Sequence, residues 1–215
     1  MALYRFLAYA GIAITVLIVI LGTKRYHILP REMKYLYWFF VFDVTFSILG
    51  SILGKMSINN HWIGQFETPI MYGCYVWVLT AWIERPALRK IMLYSVPVIV
   101  LLWGVSSMNL EVWKTFDVFS FPLVYTLLLL QAMITLYFIT QDTSLPIMLQ
   151  SRFWVCVGLM LSCIGTIPAL VFAKQLLIVS PDTLILVLII RNFISIVAYS
   201  SYVVGFLFVR QQQIL

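Results

Sequence analysis

The chain has 215 residues, 63% of them hydrophobic and 10% charged, with a mean hydropathy of +1.01. Soluble domains carry about a quarter charged residues, so this composition excludes an ordinary water-soluble fold and points to a membrane. The net charge of +6 does not indicate a nucleic-acid partner, because the basic residues lie in short clusters between long apolar runs and form no basic domain.

A helix crossing a hydrocarbon core about 30 Å thick needs about 20 mostly apolar residues. Seven runs of that kind follow one another, at about 6–22, 35–53, 68–83, 91–108, 118–139, 153–173 and 184–209. They predict an all-α polytopic membrane protein: one seven-helix transmembrane domain over residues 1–215. The connections between runs are too short to hold a soluble catalytic domain. The first run is followed by "GTKRYH", which has no small-residue cleavage site and is basic on the wrong side for a signal peptide. A retained helix is expected.

The second run holds "FFVFDVTFSILG" (39–50), with Asp43 among apolar neighbours. Asp43, Ser47, Gly50, Ser51 and Gly54 follow i, i+4, i+7, i+8, i+11, a single helical stripe of small and polar groups. The fourth and sixth runs contain Pro97 and Pro168, each of which frees a carbonyl and bends a helix. The fifth places Gln131 near mid-depth, and the sixth aligns Gly158, Ser162, Gly165 and Thr166. The seventh, "LIIRNFISIVAYSSY" (188–202), carries Arg191, Ser195, Tyr199 and Tyr202 on one face. Such faces let helices approach closely, which is also their plain packing role.

Asp43 and Arg191 are the only charged residues deep in these runs. A charge at the bilayer centre costs about 2.5–3.5 kcal/mol even on insertion scales, and it usually faces the protein interior beside a partner. At 1.5 Å per residue, Asp43 lies about 12 Å from one surface and Arg191 about 10 Å from the other, leaving a gap of about 8 Å. A direct or water-bridged pair fits that gap. It serves either as a structural clamp or as the electrostatic centre of a ligand site. Asn192, Tyr75, Tyr199 and Tyr202 are the candidate lining groups of such a site.

Lysine and arginine set the expected orientation. Lys24, Arg25, Arg31, Lys34, Arg85, Arg89, Lys90, Arg152 and Arg210 fall on one side, and Arg5, Lys55, Lys114 and Lys174 on the other. The amino terminus is expected outside and the carboxyl terminus in the cytoplasm, in a multi-pass protein of the cytoplasmic (inner) membrane. Trp38, Trp62, Trp82 and Trp113 lie near run ends, as an aromatic belt would place them. Two short matches hint at an internal repeat: "SILGSI" (47–52) with "SCIGTI" (162–167), and "YGCYV" (72–76) with "YSSYV" (199–203). They pair the second run with the sixth and the third with the seventh, as two parallel three-helix halves joined by a linker helix (3+1+3) would.

Several chemistries lack their residues. His27 and His61 fall on opposite sides, and no histidine–carboxylate cluster is available for zinc. No Gly-x-Ser-x-Gly elbow or phosphate loop occurs. The last run has no lysine for a retinal Schiff base. Cys74, Cys156 and Cys163 read as small apolar packing residues. No metal or cofactor is expected, and the absences weigh against an enzyme.

"INNHWIG" (58–64), "FWVCVGLMLSCIG" (153–165) and "IIRNFISIVAYSSYVVGFL" (189–207) resemble a group of uncharacterised seven-helix membrane proteins of Bacteroidetes-type bacteria. The resemblance implies an acidic residue in the second helix, matched by Asp43, and an asparagine in the last, matched by Asn192. It also implies a glutamate in the third helix at a place near Met71, one turn beyond Glu67. It brings no established activity. Sugar-efflux and cargo-receptor proteins share the helix count and parallel halves, but their prolines in the first helices have no counterpart in the first two runs.

The leading expectation is a transporter-like or receptor-like protein binding a small molecule, ion or lipid in a polar cavity between helices 2, 3, 6 and 7. The second is a membrane interaction or assembly subunit with a protein partner and the Asp43–Arg191 pair as clamp. The third is an intramembrane enzyme.

Overall fold

The structure is a computed structural model and describes residues 2–58, 60–108, 120–142 and 145–209. Those residues form seven helices: α1 (Ala2–Lys24), α2 (Arg31–Lys55), α3 (His61–Ala81), α4 (Pro86–Ser107), α5 (Ser120–Gln141), α6 (Ser151–Val179) and α7 (Pro181–Phe208). Two short 3-10 turns, Tyr26–Ile28 and Ile147–Leu149, lie in the connections, and no strand occurs among the described residues. Among the described residues, each apolar run is thus helical over most of its length. Trp113, Lys114, Arg210 and the first two residues of the fifth run lie outside the described residues.

Local signals explain the boundaries. Pro86 and Pro181 open α4 and α7 at a helical position where a missing N–H is harmless. Asp182 in the first turn of α7, and Lys24 and Lys55 in the last turns of α1 and α2, complement the helix dipoles. α2 ends in a Schellman motif: Ile58 N–H donates to Leu53 O at 3.0 Å and Ser57 N–H to Gly54 O at 3.2 Å. That motif puts Ser57 in the left-handed region, at φ 57°. Between α6 and α7 only Ser180 intervenes, its N–H donating back to Leu176 O at 2.9 Å.

Six helices are long and apolar enough to cross a membrane; α3 is the exception. Its 21 residues span about 31 Å at the usual rise, so composition sets it apart. Gln65 and Glu67 lower its hydropathy, and its surroundings permit them. α3 packs against α2, α4 and α5, and ten of its 21 residues are buried. A helix packed against protein on one face does not need a lipid-compatible surface all round.

The strongest packing neighbours trace a closed order, α1–α2–α3–α5–α6–α7 and back to α1, with α4 outside against α3 and α5. The α6–α7 seam is the most extensive, and glycine explains its closeness. A Cβ on Gly158 would sit 2.9 Å from Ala198 O, and one on Gly165 would sit 2.8 Å from an Ile194 methyl. Small residues there let the two backbones nearly touch.

The two ends of the helices differ. At one end, Arg25 Nη1 donates to Phe206 O (3.1 Å) and Leu207 O (2.7 Å), using the last-turn carbonyls of α7. Trp82 Nε1 donates to Glu32 Oε1 at 3.3 Å, Arg152 ion-pairs with Asp142, and Arg85 lies over the Phe138 ring. Towards this basic end the interior is filled by Phe40, Tyr72, Tyr75, Leu79, Tyr202 and Phe206, all buried. Towards the other end the core thins. No described residue of α7 before Ala198 is buried as a whole, and none of α2 after Phe40.

Candidate functional site

Where the core thins, cavities open. One of about 320 Å³ lies between α2, α3, α5, α6 and α7. A wider one of about 680 Å³ lies between α1, α2 and α7 and reaches Tyr4, Gly54 and Asn60. Asp43, Ser47, Arg191, Ser195 and Tyr199 line both. A third, of about 420 Å³, continues past Arg5 and Lys55 at the end where α1 begins and α2 finishes. The polar centre therefore has open space towards that end and packed aromatic rings towards the basic one.

The helical period builds the inner wall. Phe39, Asp43 and Ser47 of α2, and Arg191, Ser195 and Tyr199 of α7, recur every four residues and so share one face each. α3 contributes Gly64, Glu67, Thr68, Met71 and Tyr75, α5 contributes Phe121 and Tyr125, and α6 contributes Ser162 and Thr166. Several hydroxyl protons are already committed: Thr68 donates to Gly64 O (2.8 Å), Ser195 to Arg191 O (2.9 Å) and Ser51 to Ser47 O (2.8 Å). Those hydroxyls present lone pairs, not protons, to the space they line.

Three ionisable side chains meet here. The Asp43 and Glu67 carboxyl groups are in hydrogen-bond contact with each other. The Arg191 charge acts on Glu67, yet Arg191 forms no ion pair with either carboxyl group within 4 Å. Its Nε is buried without a hydrogen-bond partner, as is Nδ2 of Asn192 beside it. The centre is thus two touching carboxyl groups facing an unpaired guanidinium, a different arrangement from a closed Asp43–Arg191 pair.

The sequence-based candidates separate into layers. Asp43, Arg191 and Tyr199 line both cavities, Tyr75 the inner one and Asn192 the outer one. Tyr202 lines neither. It is fully buried, accepts a hydrogen bond from Tyr75 at 3.0 Å, and stacks its edge on Phe40. Gln131 points elsewhere, donating to Tyr72 (3.0 Å) and Ser95 (3.1 Å) in a polar knot that joins α5 to α3 and α4.

The sequence-based candidate site omitted Glu67 and Tyr125, although the resemblance implied a third-helix glutamate one turn beyond Glu67. The apolar run for the third helix starts at Thr68, whereas α3 begins at His61 and carries Glu67 nearly two turns inside it. A usable signal existed: Glu67, Met71 and Tyr75 follow i, i+4, i+8, as Asp43 and Arg191 do with their own neighbours.

No protein-family model, curated protein or solved structure matches the chain.

Proposed function

We propose that this is a seven-span membrane protein of transporter-like or receptor-like type that binds a small molecule or ion in the cavity around Asp43, Glu67 and Arg191. One observation carries the reading: Asp43, Glu67 and Arg191 line open space inside an apolar bundle, and Arg191 closes on neither carboxyl group. Ionisable groups in a membrane interior are costly and usually mark a pathway or ligand site. Pockets that bind small molecules run from about 300 to 1,000 Å³ and combine apolar walls with a few convergent polar groups. The 320 Å³ and 680 Å³ cavities fall in that range. The open arrangement favours this reading over the assembly-subunit alternative, since a clamp needs its ion pair closed.

In the proposed orientation the basic end faces the cytoplasm and the cavities open outwards, in a cytoplasmic membrane. A 3+1+3 repeat, in a chain akin to the uncharacterised bacterial seven-helix proteins, completes the proposal. The neighbour order supports the repeat. Each half runs in sequence, the last helix of each half meets the first of the other, and α4 stands outside. Under the repeat Tyr75 and Tyr202 are equivalent positions, and equivalent residues that touch lie on a two-fold axis; these two are hydrogen-bonded.

Cysteine accessibility tests the ligand-cavity reading. In a background lacking Cys74, Cys156 and Cys163, Ser47→Cys reacts readily with a charged, water-soluble thiol reagent. Ile48→Cys, one residue on and facing outwards, does not. An unreactive Ser47→Cys means a dry centre and contradicts the proposal.

A further inference from the structure

Building on the ligand-cavity reading above, we propose that the Asp43–Glu67 pair is a proton-exchange site at which an organic cation displaces the shared proton one for one.

Asp43, Glu67 and Arg191 line one cavity in an apolar bundle. Two carboxyl groups and one guanidinium balance only while one of the carboxyl groups holds a proton. The pair then carries one negative charge and Arg191 one positive, and the centre is neutral. When a cation enters between the carboxylates, the bridging proton leaves for water. Two negative charges then face the cation and Arg191, and the centre is neutral again. Both states avoid a net charge in the low-dielectric interior, whereas a cation added without proton release would leave one.

The walls specify the kind of cation. Phe39, Tyr75, Phe121, Tyr125 and Tyr199 line the inner cavity, and aromatic faces attract ammonium groups while adding apolar contact. The hydroxyl groups of Thr68 and Ser195 offer acceptor lone pairs, which suit a donor or cation. No cluster of three or more metal-ligating side chains occurs among the described residues, so the walls favour an amine or quaternary ammonium over a metal ion. The titratable groups facing the pair are Tyr75 on α3, Tyr125 on α5, and Arg191 and Tyr199 on α7; α6 lines the cavity with Leu159, Ser162, Thr166 and Leu170, and α1 brings Tyr4 to the outer cavity. None of these is a third carboxylate, and the exchange stays at one proton.

Benzyltrimethylammonium is a suitable probe, since it has no proton of its own to give, with benzenesulfonate as the anionic control. Calorimetric titration of the purified full chain, in two buffers of different ionisation enthalpy, yields affinity and proton count together. Exchange predicts cation binding with about one proton released, and affinity rising about tenfold per pH unit across the range in which the pair holds its proton. Glu67→Gln leaves Asp43 and Arg191 balanced with no proton to release; its cation affinity is expected to lose that pH dependence. Cation binding without proton release overturns the exchange and leaves the ligand cavity standing, and so does binding of the sulfonate alone. Binding of neither probe at millimolar concentration also overturns the exchange; the Ser47→Cys labelling then decides separately whether the ligand cavity falls with it.

Discussion

Gly158 marks the tightest approach of α6 to α7: a Cβ added there would meet Ala198 O at 2.9 Å and the Tyr202 ring at 3.1 Å. Backbone cannot yield as a flexible side chain can. Gly158→Ala is therefore expected to lower stability by about 1–3 kcal/mol, the usual cost of overpacking. Gly104 in α4 has nothing within 4 Å of the added carbon, and Gly104→Ala is expected to gain about 0.5–1 kcal/mol from helix propensity. Thermal unfolding in detergent ranks the two, and the reverse order contradicts the packing account. Legibility differs at this scale. Asp43 and Arg191 stand out because a charge in an apolar run is conspicuous. Glu67 was hidden, because the same carboxyl group that gives it significance pushed the apolar run's start beyond it. Tyr202 shares a helical face with Arg191 and Tyr199, yet a face does not fix depth; it lies a layer behind the cavity, against Tyr75 and Phe40.

At the scale of the element, α2 ends on a serine where glycine is usual. Ser57 holds φ 57° to complete the Schellman bonds of Leu53 and Gly54. A left-handed conformation costs an L-residue about 1–2 kcal/mol relative to its ordinary basin, and glycine occupies it freely. Ser57→Gly is expected to raise stability by about 0.5–1 kcal/mol in the same unfolding assay; a loss would mean that the serine hydroxyl, not the backbone, holds the turn. Elements were the most legible level of the sequence, since hydropathy alone located every helix. α3 shows the limit of that signal. Hydropathy averages over all faces of a helix, so the polar groups on the packed face of α3 make its apolar run shorter than the helix itself. Pro69 lies inside α3, as Pro97 and Pro168 lie inside α4 and α6, and the shortened run concealed its interior position. Gln131 was visible as a polar residue at mid-depth, but which helices it ties together depends on packing that no single-helix pattern contains.

Across the whole molecule, the helices are asymmetric along their length. Aromatic packing and the Arg25 bonds to α7 close the basic end, while successive cavities lead from Asp43 and Arg191 towards the other. Lysine and arginine counts hinted at the two ends. Which end is open was not legible, because openness depends on how seven helices splay and not on any one of them. Under the proposed ligand-cavity reading, a site open towards one end and packed shut towards the other has the form that alternating access requires. Sided labelling of Ser195→Cys, in the cysteine-free background and in sealed vesicles of known orientation, tests this most directly. Ser195 lines both polar cavities. The account predicts modification by a membrane-impermeant thiol reagent applied to the face that bears the amino terminus, and none from the basic face. Labelling from the basic face alone, or from neither face, would contradict it.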